Sequence, residues 1–316
     1  MRKLGASGFE VAPLVFGGNV FGWTVDERTS FDLLDAFVDA GFNMIDTADS
    51  YSRWVSGHTG GESETIIGKW IARRGHHRDV LIATKVGSDM GLGYRCLRRD
   101  YILEEVEQSL RRLQVDCIDL YQSHWDDDKT PFDETLEAYD RLIRAGKVKV
   151  IGASNLNAAR LTQALEVSRT SNLPRYATLQ PLYNLYDRFE FEGPLQDVCI
   201  RENIGVITYY SLAAGFLTGK YRSEADLGKS KRGSGMKKLM NARGMRILDA
   251  LDKASSAHGA TPAQVSLAWL LRRPGVTAPI ASATSVQQLQ EIVRATEIDL
   301  GDDTMHELDT ASAPEA

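Results

Sequence analysis

Short apolar runs alternate along the chain with longer segments in which apolar residues recur at helical spacing. Runs of this length, rich in β-branched residues and bounded by polar residues or glycine, are typical of β-strands. Strands that alternate with helices predict repeated βα units and a parallel sheet. The runs lie at residues 13–17, 42–45, 80–86, 117–122, 148–152, 177–180, 205–210 and 277–281. Eight strands in this order predict a (β/α)8 TIM barrel.

The segments between these runs predict amphipathic helices. Phe132, Leu136 and Tyr139, for example, recur at the spacing of a one-sided apolar stripe. Three predicted helices are followed by a glycine, a residue that readily takes the left-handed conformation that ends a helix. These helices and glycines are 30–40 with Gly41, 62–74 with Gly75, and 133–145 with Gly146.

Two stretches depart from the alternating unit. Residues 2–11, with a Ser-Gly centre, predict a small β-hairpin that could plug the N-terminal mouth of the barrel. Residues 222–243 are rich in Gly, Ser, Lys and Arg, and they predict a long loop on one face. This loop is either a solvated surface segment or a lid whose Lys231 or Arg232 approaches a bound phosphate.

Composition narrows the class of protein. A chain of 316 residues, 43% hydrophobic and 25% charged, has an ordinary globular composition, and we expect one barrel domain over residues 1–316. The net charge of -6 argues against binding to nucleic acid or an anionic membrane. We expect a cytoplasmic protein, because no segment resembles a signal peptide or a membrane span. The sequence leaves open whether it is a monomer or a homo-oligomer.

Polar side chains at the C-terminal ends of the strands are the first candidates for chemistry, because active sites of this fold lie there. Lys85 lies within an apolar strand, where a buried lysine needs a carboxylate partner. Asp46, one strand away, could supply that charge, and the ammonium group would stabilise the phenolate of Tyr51. A phenol tuned in this way can protonate an alkoxide while His124 polarises a carbonyl group. Taken singly, Asp46 could be a turn former and His124 a structural group.

Other chemistries find less support in the sequence. Cys96, Cys117 and Cys199 are far apart and read as reduced packing residues. We expect no metal, because the chain has no HExxH, paired-cysteine or clustered-aspartate pattern. A GxGxxG sequence does not follow the first strand, so a Rossmann dinucleotide site is not predicted.

Ordered motifs along nearly the whole chain carry a family resemblance. They are RKLGASGFEVAPLVFGGNVFG, GFNMIDTADSY, GGESETIIGKWI, ATKVG, DLYQSHWDD, GKVKVIGASN, QPLYNLYDR, YYSLAAGFLTGKY and PIASATSVQQLQ. Together they resemble the aldo-keto reductases, and within them the bacterial branch related to the potassium-channel β subunits. The resemblance implies NAD(P)H-dependent, reversible reduction of aldehydes and ketones by a tetrad of Asp46, Tyr51, Lys85 and His124, with Tyr51 as the general acid.

The resemblance also implies an extended nicotinamide cofactor across the strand ends. Its expected contacts are Gly17, Gly18, Asn19, Asp46, Ser154, Asn155, Gln180, Tyr210, Ser211, Leu212, Gly215, Leu217, Lys220, Arg232, Ser282, Thr284, Gln288 and Glu291. Phe21, Trp54 and Trp125 follow strands one, two and four and could wall an apolar or aromatic substrate pocket.

The expected adenosine end departs from the common family pattern. Relatives that prefer NADP(H) often carry Arg or Lys just after strand eight, whereas residues 281–285 of this chain read ASATS. Hydroxyl groups and the N-terminus of a helix beginning near Ser285 can still hold a phosphate. We therefore expect NADP(H), with NAD(H) as the alternative.

Two rival functions follow from the same residues. Because channel-related relatives bind the nucleotide, the chain could be a nucleotide-binding regulatory or sensor protein with little turnover. Lys85 could also form a Schiff base in an aldolase-like barrel, although Tyr51 and Asp46 fit that chemistry less well.

Overall fold

A computed structural model describes residues 1–313, which begin with the predicted N-terminal hairpin. Strands β1 (Arg2–Lys3) and β2 (Glu10–Val11) pair antiparallel. Leu4 and Val11 are fully buried and pack on side chains inside the barrel. The hairpin therefore closes the N-terminal mouth of the barrel, so a substrate could enter only from the C-terminal end.

Eight parallel strands form the closed barrel that the sequence predicted. They are β3 (Val15–Gly17), β4 (Met44–Asp46), β5 (Leu81–Val86), β6 (Ile118–Ser123), β7 (Val148–Ser154), β8 (Thr178–Gln180), β9 (Gly205–Thr208) and β10 (Val276–Ala281). The closing pair is β10 with β3. The predicted strand 205–210 ends early, at Thr208, and Tyr210 has a φ of 53° that extended backbone does not adopt.

Helices surround the barrel. They are α1 (Glu27–Asp39), α2 (Glu62–Arg74), α3 (Arg99–Leu113), α4 (Phe132–Arg144), α5 (Ala158–Ser171), α6 (Pro194–Arg201), α7 (Ala242–His258), α8 (Pro262–Leu271), α9 (Val286–Val293) and α10 (Asp302–Ser312). α1 begins three residues before the predicted start, because the Asp26 carboxylate caps it by accepting from the Thr29 amide. Gly75 ends α2 with a φ of 77°, as the pattern predicted.

The described chain buries two apolar layers. A small cluster inside the barrel includes Val15, Met44, Ala83, Leu120 and Ile207. A much larger layer lies between the barrel wall and the helices and includes the fully buried Trp70 and Trp269. No described helix combines the length and apolar character that crossing a membrane requires.

The polar segment 222–243 is more ordered than a simple loop. It contains two short 3-10 helices, Glu224–Lys229 and Gly233–Leu239, and it leads directly into α7. Met236 and Leu239 are buried, so part of this polar segment belongs to the core. These apolar contacts hold the segment at the C-terminal end of the barrel, beside the candidate site.

Candidate active site

A buried lysine joins three of the predicted catalytic groups. Lys85 Nζ donates to Asp46 Oδ2 at 2.6 Å and to the Thr47 carbonyl oxygen at 2.8 Å, and it lies 2.9 Å from the Tyr51 hydroxyl oxygen. The Lys85 and Asp46 side chains are 0% and 1% exposed. Adjacent strands β4 and β5 carry Asp46 and Lys85 at neighbouring heights, which explains how an apolar strand accommodates an ammonium group.

Asp46 receives further hydrogen bonds on its second oxygen. Gln180 Nε2 donates to Asp46 Oδ1 at 2.8 Å, and Gln122 Nε2 lies 3.4 Å from the same atom. The Tyr51 hydroxyl group donates to Asp46 Oδ2 across 3.2 Å. The Asp46 carboxylate is thus held in one orientation by donors from three other strands and from the loop after β4.

Tyr51 differs from the phenol that the sequence predicted. Burial, and then the charge of Asp46, raise the pKa of Tyr51 well above its usual value. Burial also lowers the pKa of Lys85, so its charged form is less favoured than in water. Burial and Asp46 therefore outweigh the expected lowering of the Tyr51 pKa by Lys85. Tyr51 is consequently a neutral phenol at pH 7 and a hydrogen-bond donor.

His124 lies opposite the phenol. Its ring centroid is 6.0 Å from that of Tyr51, and its Nδ1 lies 2.9 Å from the Ser88 hydroxyl oxygen. Burial, followed by the charges of Lys85 and Arg95, lowers the pKa of His124 well below its usual value. The imidazole is therefore neutral at pH 7 and can polarise a carbonyl oxygen without taking part in an ion pair.

A cleft of about 880 Å³ runs from this group across the C-terminal ends of the strands. Most of the predicted cofactor contacts line it: Gly17, Asn19, Asp46, Ser154, Asn155, Gln180, Tyr210, Ser211, Leu212, Gly215, Lys220, Arg232, Ser282, Thr284, Gln288 and Glu291. Tyr210 is 53% exposed. It begins a stretch in which Ala213, Ala214 and Gly215 also have positive φ. Backbone strain of this kind concentrates at functional sites.

Three predicted contacts lie outside the cleft. Leu217 is fully buried in the core. Gly18 is buried behind the cleft wall, where a Cβ atom would meet Ser63 Oγ at 2.9 Å, so its small size serves packing. Phe21 stacks on Phe16 with 5.4 Å between ring centroids and is 0% exposed, so its assignment to the substrate pocket was wrong.

Aromatic side chains border the cleft on the Tyr51 side. Trp54 and Trp125 line it, and Trp54 is 51% exposed. The Trp54 ring meets the edges of Tyr51 and Trp23, with 6.1 Å and 5.5 Å between centroids. In the loop after β3, it is therefore Trp23 that contacts Trp54, and not Phe21, which the sequence suggested for the substrate pocket.

The segment after β9 reaches across the cleft to the first loop. Lys231 Nζ donates to the Trp23 carbonyl oxygen at 3.3 Å, and the Arg232 guanidinium group lies 4.8 Å over the Trp23 ring. Lys231 and Arg232 both line the cleft, as does Lys229. The segment thus covers one side of the cleft and brings Lys231 and Arg232 to its wall.

The sequence of the chain matches a known protein family over nearly its whole length. The sequence model of the aldo/keto reductase family matches residues 13–313. The chain belongs to the aldo/keto reductase family. It is 36% identical over 308 residues to the uncharacterized oxidoreductase YrpG of Bacillus subtilis, with 94% of this chain and 91% of that protein covered.

Two further relatives of this aldo/keto reductase are named for different functions, one for a channel subunit and one for a reductase. A probable voltage-gated potassium channel subunit beta of Arabidopsis thaliana is 31% identical over 306 residues, covering 94% of this chain and 91% of that one. The NADP(+) aldo-keto reductase yakc of Schizosaccharomyces pombe is 30% identical over 292 residues, covering 89% and 82%. The family and these names make the chain an oxidoreductase of the kind that acts on small carbonyl compounds.

At the far end of the cleft, this aldo/keto reductase presents amides and hydroxyl groups. Thr284 donates to Gln288 Oε1 from its amide and its hydroxyl group, both at 2.9 Å. Glu291 Oε1 accepts from the Thr261 hydroxyl group at 2.8 Å. Within residues 1–313, no group of three or more His, Cys, Asp or Glu side chains is placed to hold a metal ion.

The sequence reasoning missed several lining residues of the cleft. Ser50, Arg53, Ser88 and Asp89 all line it near His124 or Trp54. All four lie in the loops just after β4 and β5, so extending the search a few residues beyond each strand end would have included them. No motif distinguishes these serines from ordinary loop serines.

Proposed function

We propose that this chain reduces aldehydes and ketones to alcohols with a nicotinamide cofactor, and that Tyr51 is the general acid. The observation that carries the proposal is the contact of Lys85 Nζ with both Asp46 and the Tyr51 hydroxyl group beside the cleft. A buried ammonium group in contact with a carboxylate and a phenol adds little to the stability of a fold, because of its desolvation cost. Such groups are typical of sites that transfer protons.

The cleft residues suit an extended, polyanionic cofactor. Lys220, Lys229, Lys231 and Arg232 line its walls, although the whole chain is acidic. The exposed ring of Tyr210 offers a stacking surface near Asp46 and Gln180. When bound there, a nicotinamide supplies the hydride for carbonyl reduction. Ser154, Asn155 and Gln180 would hold its carboxamide, and the cationic residues would hold its phosphates.

Side chains of the protein supply the proton that the reduction also requires. The neutral imidazole of His124 orients and polarises the carbonyl oxygen, and the Tyr51 hydroxyl group donates a proton to that oxygen as it becomes an alkoxide. The Lys85 ammonium group, 2.9 Å away, stabilises the phenolate as it forms, and Asp46 holds Lys85 in place. Tyr51 recovers its proton from solvent through the open cleft.

NADP(H) is the proposed cofactor. A relative named for NADP(+) supports this choice, as does the capped start of α9. The Ser285 side chain accepts from the Gln288 amide, leaving other amides of the first turn free for an anion. Because residues 281–285 carry no cation, discrimination against NAD(H) should be modest. NAD(H) remains the alternative.

A protein that binds nucleotide with little turnover is not favoured, because all four catalytic groups are assembled. The test is the initial rate of NADPH oxidation, and separately of NADH oxidation, with 4-nitrobenzaldehyde. The proposal predicts turnover with at least one cofactor, and the ratio of kcat/KM values gives the preference. Retained cofactor binding without turnover of any aldehyde or ketone would contradict the proposal and favour the regulatory function.

A further inference from the structure

Two serine hydroxyl groups converge on one nitrogen of His124. Ser88 Oγ lies 2.9 Å and Ser50 Oγ 3.4 Å from His124 Nδ1. Ser88 is only 8% exposed. Among residues 1–313, neither hydroxyl oxygen has another hydrogen-bond partner, and His124 Nε2 has none. The two nitrogens of the ring therefore differ: Nδ1 lies beside two hydroxyl groups, whereas Nε2 has no hydrogen-bond partner among the described residues.

The protons of these groups can be placed by counting donors and acceptors. A neutral imidazole carries one N–H and one lone pair, and each hydroxyl group has one proton to donate. If Nδ1 held the ring proton, the Ser88 and Ser50 hydroxyl groups would have no acceptor for theirs among the side chains and backbone of residues 1–313. If Nδ1 is the lone pair, Ser88 donates to it at normal hydrogen-bond length, and the ring proton is on Nε2. Only the second arrangement satisfies the Ser88 hydroxyl group with a protein acceptor.

We propose that Ser88 is a positioning residue that holds the ring proton of His124 on Nε2, where it can be donated to the substrate carbonyl oxygen. The proposal rests on the proposed function for its consequence in catalysis, but the proton position itself does not depend on turnover. Ser88 acts only through His124 and does not itself touch the reacting atoms. The site thus selects between two imidazole tautomers with one hydroxyl group.

The surroundings of the ring agree with this assignment. The ammonium of Lys85 and the guanidinium of Arg95 are the charged groups that most affect His124, and both oppose a second proton on the ring. Asn155 Nδ2 donates to the His124 carbonyl oxygen at 2.9 Å, which fixes the backbone. The Trp125 ring stacks on the imidazole with 5.9 Å between centroids. The backbone and one ring face are held by neighbouring residues, and Ser88 holds the ring edge.

The direct test is nitrogen NMR of the full-length protein labelled with 15N-histidine. The His124→Gln variant identifies the His124 signals. Two-bond correlation spectra then show which ring nitrogen is protonated. Between pH 6 and 8 we expect Nδ1 to be unprotonated and Nε2 protonated. A protonated Nδ1 in the wild-type protein would overturn the proposal, whether or not any carbonyl is reduced.

Variants of Ser88 give the second test. Ser88→Ala should raise the population of the Nδ1–H tautomer and lower kcat by about three- to tenfold, the size of one lost neutral hydrogen bond. The affinity for NADPH should not change. Ser88→Thr keeps the hydroxyl group and should restore both the tautomer and kcat. A Ser88→Ala protein that loses activity without any change of tautomer would show a merely structural role and would also overturn the proposal.

Discussion

The ammonium group of Lys85 and the carboxylate of Asp46 form an ion pair 2.6 Å long with almost no exposure to solvent. Such a pair pays a large desolvation cost, and removing one partner leaves the other charge buried and uncompensated. The pair therefore links the stability of the barrel to its chemistry.

Lys85→Met should lower the free energy of unfolding by about 3–5 kcal/mol and abolish turnover. The Lys85→Met/Asp46→Asn double variant removes both charges and should be more stable than the single variant, although it is equally inactive. Urea denaturation followed by circular dichroism measures the difference. If the single variant loses less stability than the double variant, the buried-charge argument does not hold.

The pH dependence of the two directions of reaction should differ. Because the pKa of Tyr51 is raised and that of His124 is lowered, neither group titrates near neutral pH. We expect kcat for reduction to be constant between pH 6 and 8. It should fall only at higher pH, as Tyr51 begins to lose its proton near its raised pKa. Alcohol oxidation needs the phenolate and should become faster over the same rise. A reduction rate that falls between pH 7 and 8 would contradict the assignment.

The buried carboxyl group of Asp49 lowers the stability of the folded chain when it is ionised. Its carboxyl group is fully buried, and neither of its oxygens has a hydrogen-bond partner among the described residues. Burial, and then the charges of Glu64 and Glu105, raise the pKa of Asp49 well above its usual value. Since the folded pKa exceeds the unfolded one, the cost of ionising this group is absent at low pH and grows as the pH rises.

Asp49→Asn should therefore raise the free energy of unfolding on the order of 1 kcal/mol at pH 8 and by little at pH 4. Thermal unfolding of both proteins at the two pH values measures the effect. A variant less stable than wild type at pH 8 would show that the ionised carboxylate is stabilised in the folded chain.

The position of Arg232, over the Trp23 ring at the wall of the cleft, gives a prediction for cofactor binding. Arg232 makes no ion pair among the described residues, so its charge is available to a phosphate. Arg232→Met should weaken NADPH binding on the order of tenfold, measured by fluorescence titration. Arg78→Met removes an exposed charge that lies outside the cleft and serves as the matched control. Equal affinities in both variants would exclude Arg232 from the cofactor site.

The sequence was sufficient to predict the fold and the placement of the candidate catalytic groups, because both depend on local pattern. Eight apolar runs determine the barrel, and a lysine inside one of them, Lys85, requires the partner that Asp46 provides. The same reasoning put Asp46, Tyr51 and His124 at one end of the barrel, since each lies at or just after the C-terminal end of a strand.

Contacts that depend on tertiary packing could not be read in this way. Phe21 and Trp23 are two residues apart in one loop, and only the fold shows that Phe21 packs on Phe16 while Trp23 meets Trp54. The shifted pKa of Tyr51 depends on burial, which strand pattern does not quantify. Ser88 has no sequence signal, because its role comes from the position of the His124 ring.

The central claim is that Tyr51 is the general acid, and Tyr51→Phe tests it most directly. The measurement is kcat for NADPH-dependent reduction of 4-nitrobenzaldehyde, together with NADPH affinity, in wild type, Tyr51→Phe and the control Tyr101→Phe. Tyr101 has a buried hydroxyl group without a partner among the described residues, and it lies outside the cleft. The account predicts a loss of at least about 10² in kcat for Tyr51→Phe alone, with NADPH affinity near wild type. Turnover near the wild-type rate in Tyr51→Phe would contradict it.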